Sequence, residues 1–160
     1  MHRRPHLSRG AQSLVALALT GSLVATLAGC SRHHDVTARL PVDAADRGCA
    51  RVAAQLPKTL LKQSRRPTQP TSPALAAWGD PAIILRCGVQ SPGASTDHCE
   101  TVNGIDWIVQ SLSDGEDFTT FGRTPAVQVL VPSHYAPEEF ALTGLSSAMA
   151  TIPQGPDRCS

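Results

Sequence analysis

Aromatic residues are scarce in this sequence: two Trp, one Tyr and three Phe among 160 residues. A base-stacking platform needs several rings on one surface, so this scarcity argues against binding single-stranded nucleic acid. Long basic runs are missing as well, which argues against nucleic acid as a partner in any form. The nearest neighbours among the four later cysteines are Cys87 and Cys99, so the close Cys-x2-Cys pair of a structural zinc site is absent. The sequence holds no Gly-x-Ser-x-Gly elbow, no His-Glu-x2-His and no glycine-rich phosphate loop. No catalytic residues are therefore assigned, and no metal or cofactor is expected. Internal repeats are lacking too.

The N-terminus, by contrast, is sharply patterned. Arg3, Arg4 and Arg9 precede an uncharged, mostly apolar run over residues 11–28, which leads into Leu27-Ala28-Gly29-Cys30. These are a basic n-region, an apolar h-region and a small-residue processing site. The alternative is an uncleaved transmembrane anchor. The run lies at the lower edge of the ~20 residues a span needs, and Gln12, Ser13, Thr20, Gly21, Ser22 and Thr26 weaken it as a permanent one. Leu27-Ala28-Gly29-Cys30 resembles the lipobox of bacterial secreted lipoproteins. The resemblance implies diacylglycerol on the Cys30 thiol, cleavage before Cys30, and a product held on the outer face of the cell membrane. Two or more acyl chains anchor a protein where one alone is marginal, at ~0.8 kcal/mol per buried CH₂. The general export route is preferred, although Arg3-Arg4 with Leu7 also weakly matches a twin-arginine signal, and the route stays open.

Residues 1–29 thus read as a signal peptide, 30–41 as a polar tether and 42–160 as one globular domain. The remaining length supports one core and not two. The leader carries three of the 14 basic residues and none of the 13 acidic ones, so the chain after it is slightly acidic. His33-His34 in the tether read as polar filler. Besides Cys30 there are Cys49, Cys87, Cys99 and Cys159. An even number in an exported domain implies two disulfides.

The expected fold is α+β: an antiparallel sheet of four to five strands covered by an N-terminal and a C-terminal helix. Asp43 suits an N-cap, and Cys49, Ala53, Leu56 and Leu60 then share one helix face. Pro67, Pro70, Pro73 and Pro81 mark residues 64–81 as a loop. Strands are expected over 82–87, 99–102, 105–110, 118–121 and 126–131, where apolar and polar residues alternate. Asn103-Gly104 signals a type I′ hairpin turn, or alternatively a bulge. The acidic stretch 113–117 reads as a solvated turn. Pro137, Glu138 and Glu139 suit a helix start, with Phe140, Gly144, Leu145, Ala148 and Ile152 as its buried stripe.

Three runs are distinctive: Ala-Trp-Gly-Asp-Pro-Ala-Ile-Ile-Leu-Arg-Cys-Gly-Val (77–89), Cys-x2-Val-Asn-Gly-Ile-Asp-Trp (99–107) and Thr-Thr-Phe-Gly-Arg-Thr-Pro-Ala-Val-Gln-Val (119–129). With the lipobox and the late cysteine, they resemble a family of small exported lipoproteins of actinobacteria known as a domain of unknown function. The resemblance implies an envelope location and supports the four-cysteine reading. It brings no catalytic residue, substrate or cofactor.

Trp78, Arg86, Asp106, Trp107 and Arg123 form the candidate ligand surface. Arg86 either snorkels to solvent, pairs with Asp106, or receives an anionic ligand. Loop-closure entropy separates the three possible disulfide pairings by under about 1 kcal/mol. Local structure favours Cys87–Cys99, across two strands taken as neighbours, with Cys49–Cys159 clamping the ends. The functional expectation is a non-enzymatic envelope lipoprotein that binds a protein partner or an envelope component. The alternative is an envelope hydrolase using His134 or Asp106.

Overall fold

The computed structural model describes residues 34–93 and 96–160, so the leader, Cys30 and the first part of the tether lie outside the described residues. The elements run β1 (Val36–Thr37), α1 (Arg47–Gln55), β2 (Thr59–Leu60), β3 (Gln63–Arg66), β4 (Thr68–Gln69), β5 (Leu75–Trp78), β6 (Ile83–Val89), β7 (His98–Val102), β8 (Ile105–Leu112), β9 (Gly115–Thr120) and β10 (Ala126–Pro132). A 3-10 turn (Ser133–Tyr135), α2 (Phe140–Thr143) and α3 (Ser146–Met149) follow. Eight strands form one antiparallel sheet in the order β2-β3-β5-β6-β10-β9-β8-β7, and β1 and β4 pair in parallel beside it.

The expected four to five strands are thus too few. The prolines expected to mark one loop separate β3, β4 and β5 instead, and strands of two to four residues are too short to show a period. The flanking helices are also smaller than expected. Asp46, not Asp43, caps α1, its carboxylate accepting from the Gly48 N–H at 2.6 Å. Leu60, assigned to the helix face, belongs to β2. The C-terminal helix is broken into two four-residue pieces around Gly144 and Leu145. Phe140, expected in its stripe, is exposed, while Leu145, Ala148 and Ile152 are buried. The domain also begins inside the expected tether, since Val36 is buried and its N–H donates to Pro67 O.

Alternation sorts the sheet into two faces. Ile83, Leu85 and Cys87 of β6 align with Val127 and Val129 of β10, then with Phe118 of β9 and Trp107 of β8, and all are buried. α1 and α3 contribute Cys49, Val52, Ala148 and Met149 to the same core. Asn103 and Gly104 both take positive φ, 51° and 76°, and join Val102 to Ile105 as the hairpin turn the dipeptide signals.

The disulfides are Cys49–Cys87 and Cys99–Cys159, not the pairing expected. β10, β9 and β8 lie between β6 and β7, so Cys87 and Cys99 are three strands too far apart to bridge. Cys49–Cys87 instead pins α1 to the inner face of β6, fully buried. Cys99–Cys159 ties the C-terminal tail to the edge strand β7. Among the described residues, no helix is long and apolar enough to cross a membrane.

Candidate functional site

The five candidate residues do not share one surface. Trp78 is buried, donates from Nε1 to Pro57 O at 3.1 Å, and carries the Arg65 guanidinium 4.8 Å from its ring centroid. This is a core position with a cation–π lid. Trp107 is fully buried on the inner face. Asp106 is buried too, one carboxylate oxygen accepting from Thr101 Oγ1 at 2.6 Å and the other from the Cys159 N–H at 3.2 Å. It therefore anchors the tail. Arg123 is 6 % exposed and donates from Nη1 to the carbonyls of Ile152 and Met149. Burial pulls its guanidinium below the ordinary range, with Arg158 adding to the shift and Asp106 opposing it. Arg123 thus satisfies the Ile152 carbonyl after α3, while Met149 O accepts chiefly from the Ile152 N–H at 3.1 Å.

Arg86 alone of the five faces an open surface. It does not pair with Asp106, because β10 and β9 separate their strands. Its Nε donates to Arg39 O at 3.1 Å and its Nη1 to Gln128 Oε1 at 2.8 Å. Gln128 passes the chain on, donating from Nε2 to Asp117 Oδ2 at 2.6 Å. Thr119 Oγ1 lies 3.4 Å from Asp117 Oδ1. The sheet register explains the row. Arg86 pairs with Gln128, Gln128 with Thr119, and Asp117 stands two residues along β9 on the same face. Further on, Gln110 of β8 donates to Asp97 at 3.1 Å.

This outer face is concave. Residues 39–42 flank it on one side and residues 90–93 on the other, leaving two cavities of about 350 and 370 Å³ that share Gln90, Thr119 and Gln128. Gly88 allows the first flank to approach, since a Cβ there would lie 2.4 Å from Asp43 O. Asp117 is half-buried, and that burial raises its carboxyl above the ordinary range. The hydrogen bonds from Gln128 and Thr119 and the charge of Arg86 pull the other way.

Gln128 and Asp117 are not among the candidate residues named from the sequence, where 113–117 reads as a turn, whereas Asp117 lies within β9. A polar residue on an alternating strand looks solvent-facing until the register is known, and the one available signal was Arg86 and Gln128 each standing between two apolar neighbours.

The histidines sit elsewhere. His134 is exposed and meets the Tyr135 ring edge-on at 4.9 Å, and His98 Nε2 lies 3.9 Å from Glu100. Glu116, Glu138 and Glu139 bring one carboxylate oxygen each within 4.8 Å of one another. Acidic groups of this kind often cluster without an ion. Burial, and then the charges of Glu138, Glu100 and Glu139, raise the Glu116 carboxyl.

Comparison with known proteins finds no match among the curated proteins and none among the solved structures. A family model does match, over residues 13–156, which is most of the chain. The chain belongs to DUF3515, a family described as a protein of unknown function.

Proposed function

We propose that this protein is an exported lipoprotein, anchored to the outer face of the cell membrane through lipid on Cys30, whose domain binds an envelope component or an envelope protein without catalysis. The observation that carries the reading is the meeting of two features. The leader ends in Leu27-Ala28-Gly29-Cys30, and the four later cysteines are all spent in two disulfides. Disulfides persist in oxidising compartments and are rare in the cytosol, so the scaffold supports export. The family match begins inside the apolar run of the leader. Spent cysteines leave no thiol nucleophile in the domain, and the polar outer face offers hydrogen-bonding groups in a concave setting, which favours binding over turnover.

Fractionation of cells expressing wild type and Cys30→Ser tests the anchoring. Wild type should take up labelled fatty acid and sediment with membranes. The variant should stay an unprocessed precursor or escape to the medium. Mature-sized, membrane-retained Cys30→Ser protein would overturn the reading.

A further inference from the structure

Charge is divided along the sheet. Between Arg47 and Gly79 stand six basic residues, Arg47, Arg51, Lys58, Lys62, Arg65 and Arg66, and no acidic one. Over residues 97–139 the balance reverses, with eight acidic residues against the single Arg123, which is buried. β2 and β3 occupy one end of the sheet and β9, β8 and β7 the other, so the sheet runs from a basic end to an acidic one. The basic end is a hairpin. Thr59 pairs with Ser64 and Leu60 with Gln63, and the Arg65 N–H donates to Lys58 O at 3.0 Å. Lys58 and Arg65 are thus cross-strand neighbours, Lys62 lies in the turn, and all three are exposed. The Arg65 guanidinium is held over the Trp78 ring. Among the described residues none of the three forms an ion pair.

The chain enters the domain at this end. The Val36 N–H donates to Pro67 O, β1 pairs with β4, and Arg66 Nη2 donates to His34 O at 2.6 Å. Arg66 also lies 3.6 Å from Asp80, so it clamps the incoming chain instead of facing outward. His34 is four residues from Cys30, a reach of at most about 14 Å. Lys62 is four residues back from Arg66 across β3, at most about 13 Å away. A lipid on Cys30 therefore keeps the hairpin close to the bilayer surface. The chain after the leader is slightly acidic, and its net charge alone favours repulsion from an anionic surface. The distribution matters more at this range, because screening over ~8 Å at physiological salt lets the near, basic end outweigh the far, acidic one. From this placement we infer that the β2–β3 hairpin lies on the anionic phospholipid headgroups around the anchor, through Lys58, Lys62 and Arg65, and holds the acidic end of the domain away from the membrane. The short reach from the anchor favours headgroups over an acidic protein segment, the other occupant of matching charge. The inference rests on the anchoring reading and adds to it the orientation of the domain.

Lys58 and Lys62 are the only lysines in the sequence, which makes amine labelling a local probe. The lipidated protein is placed in vesicles of phosphatidylcholine alone, or of two parts phosphatidylcholine to one part phosphatidylglycerol. A membrane-impermeant acetylating ester is added and both lysines are followed by peptide mass spectrometry. With phosphatidylglycerol present they should react at least ~5-fold more slowly, the factor expected of one basic side chain at an anionic surface. Molar salt, which cuts the screening length to about 3 Å, should restore the rate. Amide exchange over residues 58–66 should slow in the same vesicles, and Lys58→Gln with Lys62→Gln should abolish that slowing. The wild-type labelling stands as the test should the variant misfold. Equal rates in the two vesicle types, or protection over residues 97–116 in place of the hairpin, overturn the inference. Equal slowing by soluble polyglutamate also overturns it and assigns the surface to an acidic protein partner. Lipidated protein that floats with both vesicle types without slowing keeps the anchoring and loses the docking. Unlipidated protein that still binds the anionic vesicles through the two lysines keeps the docking and sinks the anchoring. Protein that lacks lipid and binds neither vesicle type sinks both.

Discussion

Arg123→Met separates a structural arginine from a ligand-binding one. Methionine keeps most of the stem volume and removes the guanidinium. Arg123 Nη1 bonds Ile152 O and lies 3.5 Å from Met149 O, the second contact being weak. A hydrogen bond from a charged donor contributes about 1.5–3 kcal/mol, and a buried carbonyl left alone costs a similar amount. Against this, the variant no longer buries a guanidinium, which is itself costly. The net loss should be about 2 kcal/mol, or about 6–10 °C in melting temperature for a domain of this size. Circular dichroism melts give the number, and amide hydrogen exchange should show the loss of protection concentrated over residues 145–155. A variant that melts within about 2 °C of wild type would refute the structural role.

Other outcomes follow from burial and charge. Cys49 and Cys87 are fully buried, whereas Cys99 and Cys159 are partly exposed, so mild reductant on the native protein should open Cys99–Cys159 first. Non-reducing peptide mapping should recover Cys49 linked to Cys87 before reduction, and a Cys87–Cys99 peptide would contradict the fold. Removing the 60-residue bridge by Cys99→Ser with Cys159→Ser should cost about 4 kcal/mol on the chain-entropy estimate, read as a shift in denaturant midpoint. Burial raises the folded-state affinity of Asp117 for its proton. Its contribution to stability is therefore full below the unfolded-state value and is lost as pH rises through the folded one. Asp117→Asn escapes that loss, so its stability relative to wild type should be more favourable at pH 7 than at pH 4, and a pH-independent difference would remove burial as the cause.

The long strands were legible and the short ones were not. β6, β8 and β10 show apolar residues at every second position, and the Asn103-Gly104 turn signals itself by its need for positive φ. β2 to β4 have two to four residues each and sit among prolines, so neither period nor propensity marks them. Strand order was the costlier gap. Cys87 and Cys99 are close in sequence, but β10 inserts beside β6 and β9 beside β10, a long-range choice that no local pattern carries. The same gap explains the candidate site. Arg86 was visible as an arginine between Leu85 and Cys87, yet its partners come from β9 and β10. Asp106 and Arg123 looked like surface charges because hydropathy does not show that Cys159 N–H and Ile152 O wait for them inside.

Mass spectrometry of the N-terminal peptide, from protein extracted out of the membrane fraction, tests the central claim most directly. The expected result is a chain that begins at Cys30 and carries the mass of diacylglycerol on that residue. A chain that retains residues 1–29, or one that begins elsewhere with an unmodified Cys30, would contradict it.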